Sequence, residues 1–218
     1  MKKILLINSL LALTLILVSC GQRPAGERAA VREKEAIAEA QGEIVAIDYA
    51  NSRLAWIGYK PTGQHDGIIS FSEGSLNVKN QTITGGEFVI DINSLKVVDI
   101  VDPEMNASLR GHLLSPDFFD VALFSTARFV ISSVEEMVQA GSTHQITGNL
   151  TMKDVTKSVT FPAEIKFTDN RIEANSVAFT IDRAAWNIRY GSKTFFDNLR
   201  DNFINDEVTI KISIVANI

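Results

Sequence analysis

Phe161-Pro162-Ala163-Glu164-Ile165-Lys166-Phe167, running into Thr168-Asp169-Asn170, is the stretch that decides the fold. Phe161, Ala163, Ile165 and Phe167 alternate with Pro162, Glu164 and Lys166. An extended chain therefore carries its apolar side chains on one face and offers the other to water. Asp169-Asn170 then supplies the chemistry of a tight hairpin turn. The same period of two recurs in Phe88, Ile90 and Ile92 against Val89, Asp91 and Asn93. It recurs again in Val208, Ile210, Ile212 and Ile214 against Thr209, Lys211 and Ser213. Turn chemistry is read at Glu73-Gly74, Gly85-Gly86 and Asp154 as well. The pattern predicts about eight strands, over residues 44–60, 67–79, 82–93, 121–133, 144–153, 157–168, 171–181 and 206–217.

Two segments break the alternation. In residues 103–115, Met105, Leu109 and Leu113 recur every four positions, and Pro103 is placed to open a helix. In residues 192–203, Phe195, Phe196, Leu199 and Phe203 give a second helical stripe. The expectation is an all-β protein, an antiparallel β-barrel of about eight strands with two short helices. Closure solves the problem of exposed sheet edges, and a sandwich is the architectural alternative.

Outward from the strands, the N-terminus carries Lys2 and Lys3, an apolar run from Ile4 to Val18, and the exit Leu17-Val18-Ser19-Cys20. This is the layout of a signal peptide over residues 1–19. The exit resembles a bacterial lipobox, whose cysteine is acylated and becomes the first mature residue. Cys20 is the only cysteine, so no internal disulfide is available and the fold rests on its core. The expected location is the bacterial cell envelope, with the domain in the periplasm or outside the cell, held to a membrane through acylated Cys20. Residues 20–42, Ala/Glu-rich and without aromatics, read as a flexible or frayed-helical tether, and residues 43–218 as the barrel domain.

Net charge is −5, or −7 once Lys2 and Lys3 leave with the signal, and no basic patch is present. Nucleic acid is excluded as a partner on this count. His65, His112 and His144 stand far apart with no metal-ligand spacing, so no metal or other cofactor is expected. There is no G-x-S-x-G and no paired carboxylate in a recognisable context, so no catalytic residue is assigned and no enzyme is expected.

A resemblance sharpens this reading. His112-Leu113-Leu114-Ser115-Pro116-Asp117-Phe118-Phe119-Asp120-Val121, with Phe124 and Ala127-Arg128-Phe129 beyond it, resembles a signature of the YceI-like family. Asp48-Tyr49-Ala50-Asn51-Ser52, Trp56 to Lys60, Gly63 to Gly67, Ser94-Leu95, Gly148 to Lys157 and Phe179 to Trp186 are similar to further family segments in the same order. Asp154 departs from a common glycine, and Val101-Asp102-Pro103-Glu104 from a more usual polar run. The resemblance implies an extended lipocalin-like barrel. It also implies an amphiphilic lipid, a polyisoprenoid, quinone-like or fatty molecule, held inside for carriage or storage. The inward residues Trp56, Phe71, Phe88, Ile90, Phe129, Phe161, Phe179 and Ile181 then either line a tunnel or simply fill a small barrel. Leu109, Leu113, Phe118 and Phe119 either cap one mouth or pack as an ordinary helix on a sheet. Arg183 either meets a lipid head group or forms a salt bridge to Asp182 or a neighbouring strand, and Trp186, Tyr190 and Lys193 share that ambiguity in a loop that flanks the mouth. The competing function is a structural or protein-binding envelope lipoprotein with a solid core.

Overall fold

The structure, a computed structural model, describes residues 24–218. The signal peptide and Cys20 lie outside the described residues. The chain begins with three short strands, β1 (Glu27–Arg28), β2 (Ala30–Glu33) and β3 (Glu43–Ala46). The alternating sequences then give β4 (Arg53–Lys60), β5 (Gly63–Lys79) and β6 (Thr82–Val97). Helix α1 (Pro103–Leu114) follows, then β7 (Thr126–Gln139), β8 (Ser142–Met152), β9 (Val155–Thr168), β10 (Arg171–Ser176), β11 (Phe179–Asp182) and β12 (Glu207–Asn217).

Consecutive strands from β4 to β10 pair antiparallel, β10 pairs with β12, and β12 returns to β4. That closes an eight-stranded antiparallel barrel, as the period of two requires once one face must be dry. The long strand β5 bends round it through register shifts near Ile68, Phe71 and Asn77.

Several expectations need correction. Glu73-Gly74 and Gly85-Gly86 are not turns; they lie inside β5 and β6. A Cβ on Gly74 would sit 2.6 Å from the Ile47 side chain, and one on Gly86 would sit 2.8 Å from the Ser75 carbonyl oxygen. These glycines serve close approach within the wall. The real β5–β6 turn is Asn80-Gln81, both at positive φ, and Lys153-Asp154 turns β8 into β9 in the same way. The expected strand 44–60 is broken by a turn at Asp48–Asn51, where the Asp48 carboxylate accepts from the backbone N–H groups of Ala50 and Asn51. The expected strand 171–181 splits into β10 and β11, and β7 starts five residues later than expected.

Helix α1 forms where the stripe predicted it. Asp102 caps it, its Oδ1 accepting from the backbone N–H groups of Glu104 and Met105 at 3.1 and 2.8 Å. The second expected helix does not form. Residues 192–203 run as turns with a single 3-10 turn at Arg200–Asn202. Their polar groups are committed elsewhere: the hydroxyls of Ser192 and Thr194 both donate to the Asp206 carboxylate at 2.8 Å. Tertiary bonds override the local helical stripe.

Residues 25–42 are not a tether either. β1 pairs parallel with β11, and β2 pairs antiparallel with β9 at residues 157–160. β9 meets β10 only from Ala163 to Thr168, so β1 and β2 stand in the seam that opens between β9 and β11. Ala29 joins the buried core. Gly26 has φ +99°, and a Cβ there would lie 2.3 Å from the Ala178 carbonyl oxygen. Beyond β2 the chain continues across the outside of the wall. Glu35 exchanges backbone bonds with the Asn149 amide of β8 at 2.9 and 2.8 Å. Ala40 then lies against Gly85 of β6. The segment is a belt with specific bonds to the barrel, whose Ala/Glu-rich composition conceals them.

Candidate functional site: a one-ended apolar cavity

The inward faces of the strands divide the barrel into two halves. In the half built from Leu76, Ile83, Phe88, Ile131, Ile146, Ile165 and Ile214 the side chains meet across the centre and leave a void of only about 70 Å³. Phe71 and Phe88 pack there with ring centroids 6.0 Å apart. The other half is hollow. A cavity of about 480 Å³ lies between inward residues of β4, β6, β8, β9, β11 and β12, and α1 with residues 188–204 lies over its open end. That volume falls within the range of small-molecule sites.

Trp56 lies on the wall across from Gly67, where any Cβ would come within 2.6 Å of the indole, so the glycine makes room for the ring. The Trp56 Nε1 is buried with no hydrogen-bond partner among the described residues. Ile90, Phe129 and Phe161 belong to both spaces and form the floor. Phe161 and Phe179 stack at 4.6 Å with planes 5° apart. Leu109 and Leu113 of α1, with Phe118 and Phe119 just after it, face the cavity. The helix has no fully buried residue, so its apolar stripe is a cover over hollow space.

Of the residues proposed from sequence, the structure gathers Trp56, Ile90, Leu109, Leu113, Phe118, Phe119, Phe129, Phe161, Phe179, Ile181 and Arg183 around one cavity. It does not bring Phe71, Phe88 or Trp186 there. Phe71 and Phe88 are in the packed half. Trp186 is fully buried, and its Nε1 donates to the Leu150 carbonyl at 3.1 Å.

Arg183 sits at the start of a 3-10 turn, Arg183–Trp186, rather than on a strand. Its guanidinium donates to the carbonyls of Asn205, Ile188 and Ile204 at 3.2, 2.8 and 3.1 Å, and it lies 3.3 Å from Asp206. Its ion-pair partner is therefore Asp206, not Asp182. Burial pulls the guanidinium below its ordinary value, against the raising influence of Asp206 and Asp182. The fork is used up on the loop it organises, and Arg183 builds the mouth from behind.

Sequence reasoning missed Tyr59, Leu150, Met152, Ile188 and Ile210, all on the cavity. The alternation of β8 and β12 already contained Leu150, Met152 and Ile210. Tyr190, expected in the loop that flanks the mouth, does lie there; it meets His112 edge-on at 4.5 Å and Phe118 at 5.5 Å, joining the loop to the helix. His112 Nε2 lies 3.2 Å from the Asp117 carboxylate. His65 pairs with Asp99 at 2.8 Å. The polar side chains at the rim thus stand as separate pairs, and the cavity wall is overwhelmingly apolar.

A closed antiparallel barrel, packed solid at one end and hollow and apolar at the other, defines the class. The chain belongs to the YceI-like family: residues 46–216 match the YceI-like domain. It is 30% identical to Protein YceI of Salmonella arizonae over 121 residues, which are 54% of this chain and 56% of that protein. It spans about half the length of the curated relatives it matches. Its fold is similar to that of Burkholderia cenocepacia BcnA, with a TM-score of 0.59 and 23% identity over 78% of this chain and 99% of the other. It is equally similar, at TM-score 0.59 and 16% identity over 81% and 99%, to a polyisoprenoid binding domain from Saccharophagus degradans implicated in plant cell wall breakdown.

Proposed function

We propose that the barrel holds one amphiphilic lipid, its apolar chain in the 480 Å³ cavity and its polar end at the mouth, for carriage or storage in a bacterial envelope. The observation that carries this is the asymmetry of the interior. A barrel selected for stability alone has no reason to leave one half empty, since each lost contact costs packing energy. An apolar cavity with polar pairs only at its rim suits a ligand with one greasy and one polar end. The polyisoprenoid-binding description of the Saccharophagus degradans domain supports an isoprenoid or other long-chain lipid as the class. Anchoring through acylated Cys20, after removal of residues 1–19, belongs to the same proposal and rests on the Leu17-Val18-Ser19-Cys20 exit.

The test is extraction of the purified protein with organic solvent and mass spectrometry of the extract. A lipid in near-stoichiometric amount is expected. A protein that emerges empty and fails to take up cis-parinaric acid, a fluorescent fatty acid, would overturn the proposal.

A further inference from the structure

The mouth carries more exposed apolar surface than its cavity needs. Phe195 and Phe196 project from the same loop whose Phe203 and Ile204 line the cavity, and Phe196 is 48% exposed. On the helix side the Leu109/Leu113 stripe continues outward to Met105, 63% exposed, with Val101 beyond it, 96% exposed. Contiguous exposed apolar residues mark a contact surface. At the packed end Ile44, Tyr49, Val138 and Ile218 are exposed too, spread over β3, two turns and the chain end.

Two features say what covers the mouth. First, its aromatics are paired with cations: the Arg189 guanidinium lies 4.7 Å from the Phe195 ring centre and the Lys193 ammonium 3.5 Å from that of Phe203. Rings beside long basic side chains suit a membrane interface, where the rings sink and the charges stay at head-group level. Second, the belt starts near this end. The backbone N–H of Ala25 donates to the Tyr59 hydroxyl, and the Thr209 hydroxyl donates to the Ala25 carbonyl. Five residue steps from Cys20 to Ala25 reach at most about 18 Å. Thr209 lies about 7 Å of strand from the mouth end of β12 and about 26 Å from its packed end. An acyl anchor at Cys20 can therefore bring the mouth to a bilayer but not the packed end.

We propose that the mouth end docks on a lipid bilayer through Phe195, Phe196, Met105 and Val101, so that the cavity opens toward the membrane; this rests on the cavity being a lipid site. Asp99, Asp102, Glu104 and Asp117 on the helix side favour a zwitterionic surface over an anionic one.

The experiment uses the chain from Gly21 to Ile218, which holds every described residue but neither the apolar run Ile4 to Val18 nor Cys20, and so separates docking from anchoring. Phe196→Trp or, at the packed end, Val138→Trp is added to it, with phosphatidylcholine vesicles bearing nitroxide-labelled acyl chains. The native Trp186 is buried and Trp56 lines the cavity, so quenching is read relative to the chain with no added tryptophan, which subtracts any quenching of Trp56 by a labelled lipid in the cavity. Phe196→Trp should be quenched by the lipid and Val138→Trp should not. The pair Phe195→Ser and Phe196→Ser should weaken vesicle association at least about tenfold, the scale of losing aromatic burial. Cis-parinaric acid in vesicle-free solution reports on the cavity separately. Uptake of the probe with no quenching at Phe196→Trp, or with equal quenching at both positions, overturns the docking proposal and leaves the lipid cavity standing. Quenching at Phe196→Trp without probe uptake upholds the docking surface and removes the lipid-cavity proposal instead.

Discussion

Phe161 and Phe179 stack face to face across the seam between β9 and β11, which is bridged by the belt strands and by a backbone bond from the Val177 N–H to the Pro162 carbonyl at 3.3 Å. Phe161 sits on β9 and Phe179 on β11, and the belt strands β1 and β2 stand between them on the outside. The pair is at once the inner seal of the wall and part of the cavity surface. Its enlargement should be felt differently from enlargement in the packed half. Phe179→Trp should reduce probe occupancy with little loss of stability, because the extra ring atoms have a cavity to enter. Phe88→Trp should cost about 1–3 kcal/mol, because the space beside it is only about 70 Å³ and closed in by packed side chains. Denaturant midpoints and cis-parinaric acid binding on the same samples separate the two effects.

The belt should count toward stability. Gly26→Val places a branched side chain where even a Cβ meets the Ala178 carbonyl, at a φ that only glycine adopts freely. We expect a loss of about 1–3 kcal/mol, the usual range for strain at a special backbone position. Limited proteolysis should then cut first within residues 24–42. A chain beginning near Glu43 should be less stable than the full chain for the same reason. Unchanged denaturant midpoints would mean that the belt is only laid on the barrel.

Arg183→Met should be among the most damaging single changes. It strands three carbonyls and the Asp206 carboxylate in a buried setting, at a cost of about 3–5 kcal/mol. Arg183→Lys should not restore stability, since a single ammonium cannot reproduce the planar fork. If Arg183→Lys melts like the unmodified protein, the fork geometry is not what holds the loop.

Much of this was legible beforehand, and the reasons are local. Strand alternation is enforced by water on one side and by apolar neighbours on the other, so Phe161, Ile90 and Ile210 announce their orientation. The hollow could not be read, because Phe88 and Phe179 have the same period and the same chemistry. Only the closure of the barrel puts one in a packed half and the other on a cavity. Residues 192–203 misled for a related reason. Their helical stripe is real, but Ser192 and Thr194 are claimed by Asp206, and Arg183 takes the carbonyls of the adjoining residues Ile188, Ile204 and Asn205. Bonds at that sequence distance leave no local mark. The belt left only a faint trace, a glycine at each end, Gly26 and Gly42, both at positive φ.

Acid should weaken the β5–α1 corner. Partial burial works against the charge of Asp99, but hydrogen bonds from His65 and the Asp66 backbone outweigh it and hold the carboxyl below its ordinary value. A depressed carboxyl adds stability that is full above its unfolded pKa and is lost as pH falls through the folded one. The pair is part exposed, so the contribution is at most about 1 kcal/mol. The stability difference between the unmodified protein and Asp99→Asn should therefore shrink as pH falls below about 4. A difference that stays unchanged from about pH 5 down to about pH 2 would contradict the assignment.

Cys20→Ala should release the protein from the detergent phase and abolish labelling by a fatty-acid precursor. Retention of both after the change would remove the anchor from the account and leave the cavity untouched.

The belt also dictates an order of events. It is the first part of the domain to leave the ribosome, yet its partners are nearly the last: Arg28 waits for Asp182, and Ala25 for Thr209, 184 residues later. Contacts this distant in sequence form late in any folding process. The belt can only be buckled once β9, β11 and β12 are in place. A chain cut short before β12 would keep its first residues loose, so the fastened belt marks a barrel that has been completed.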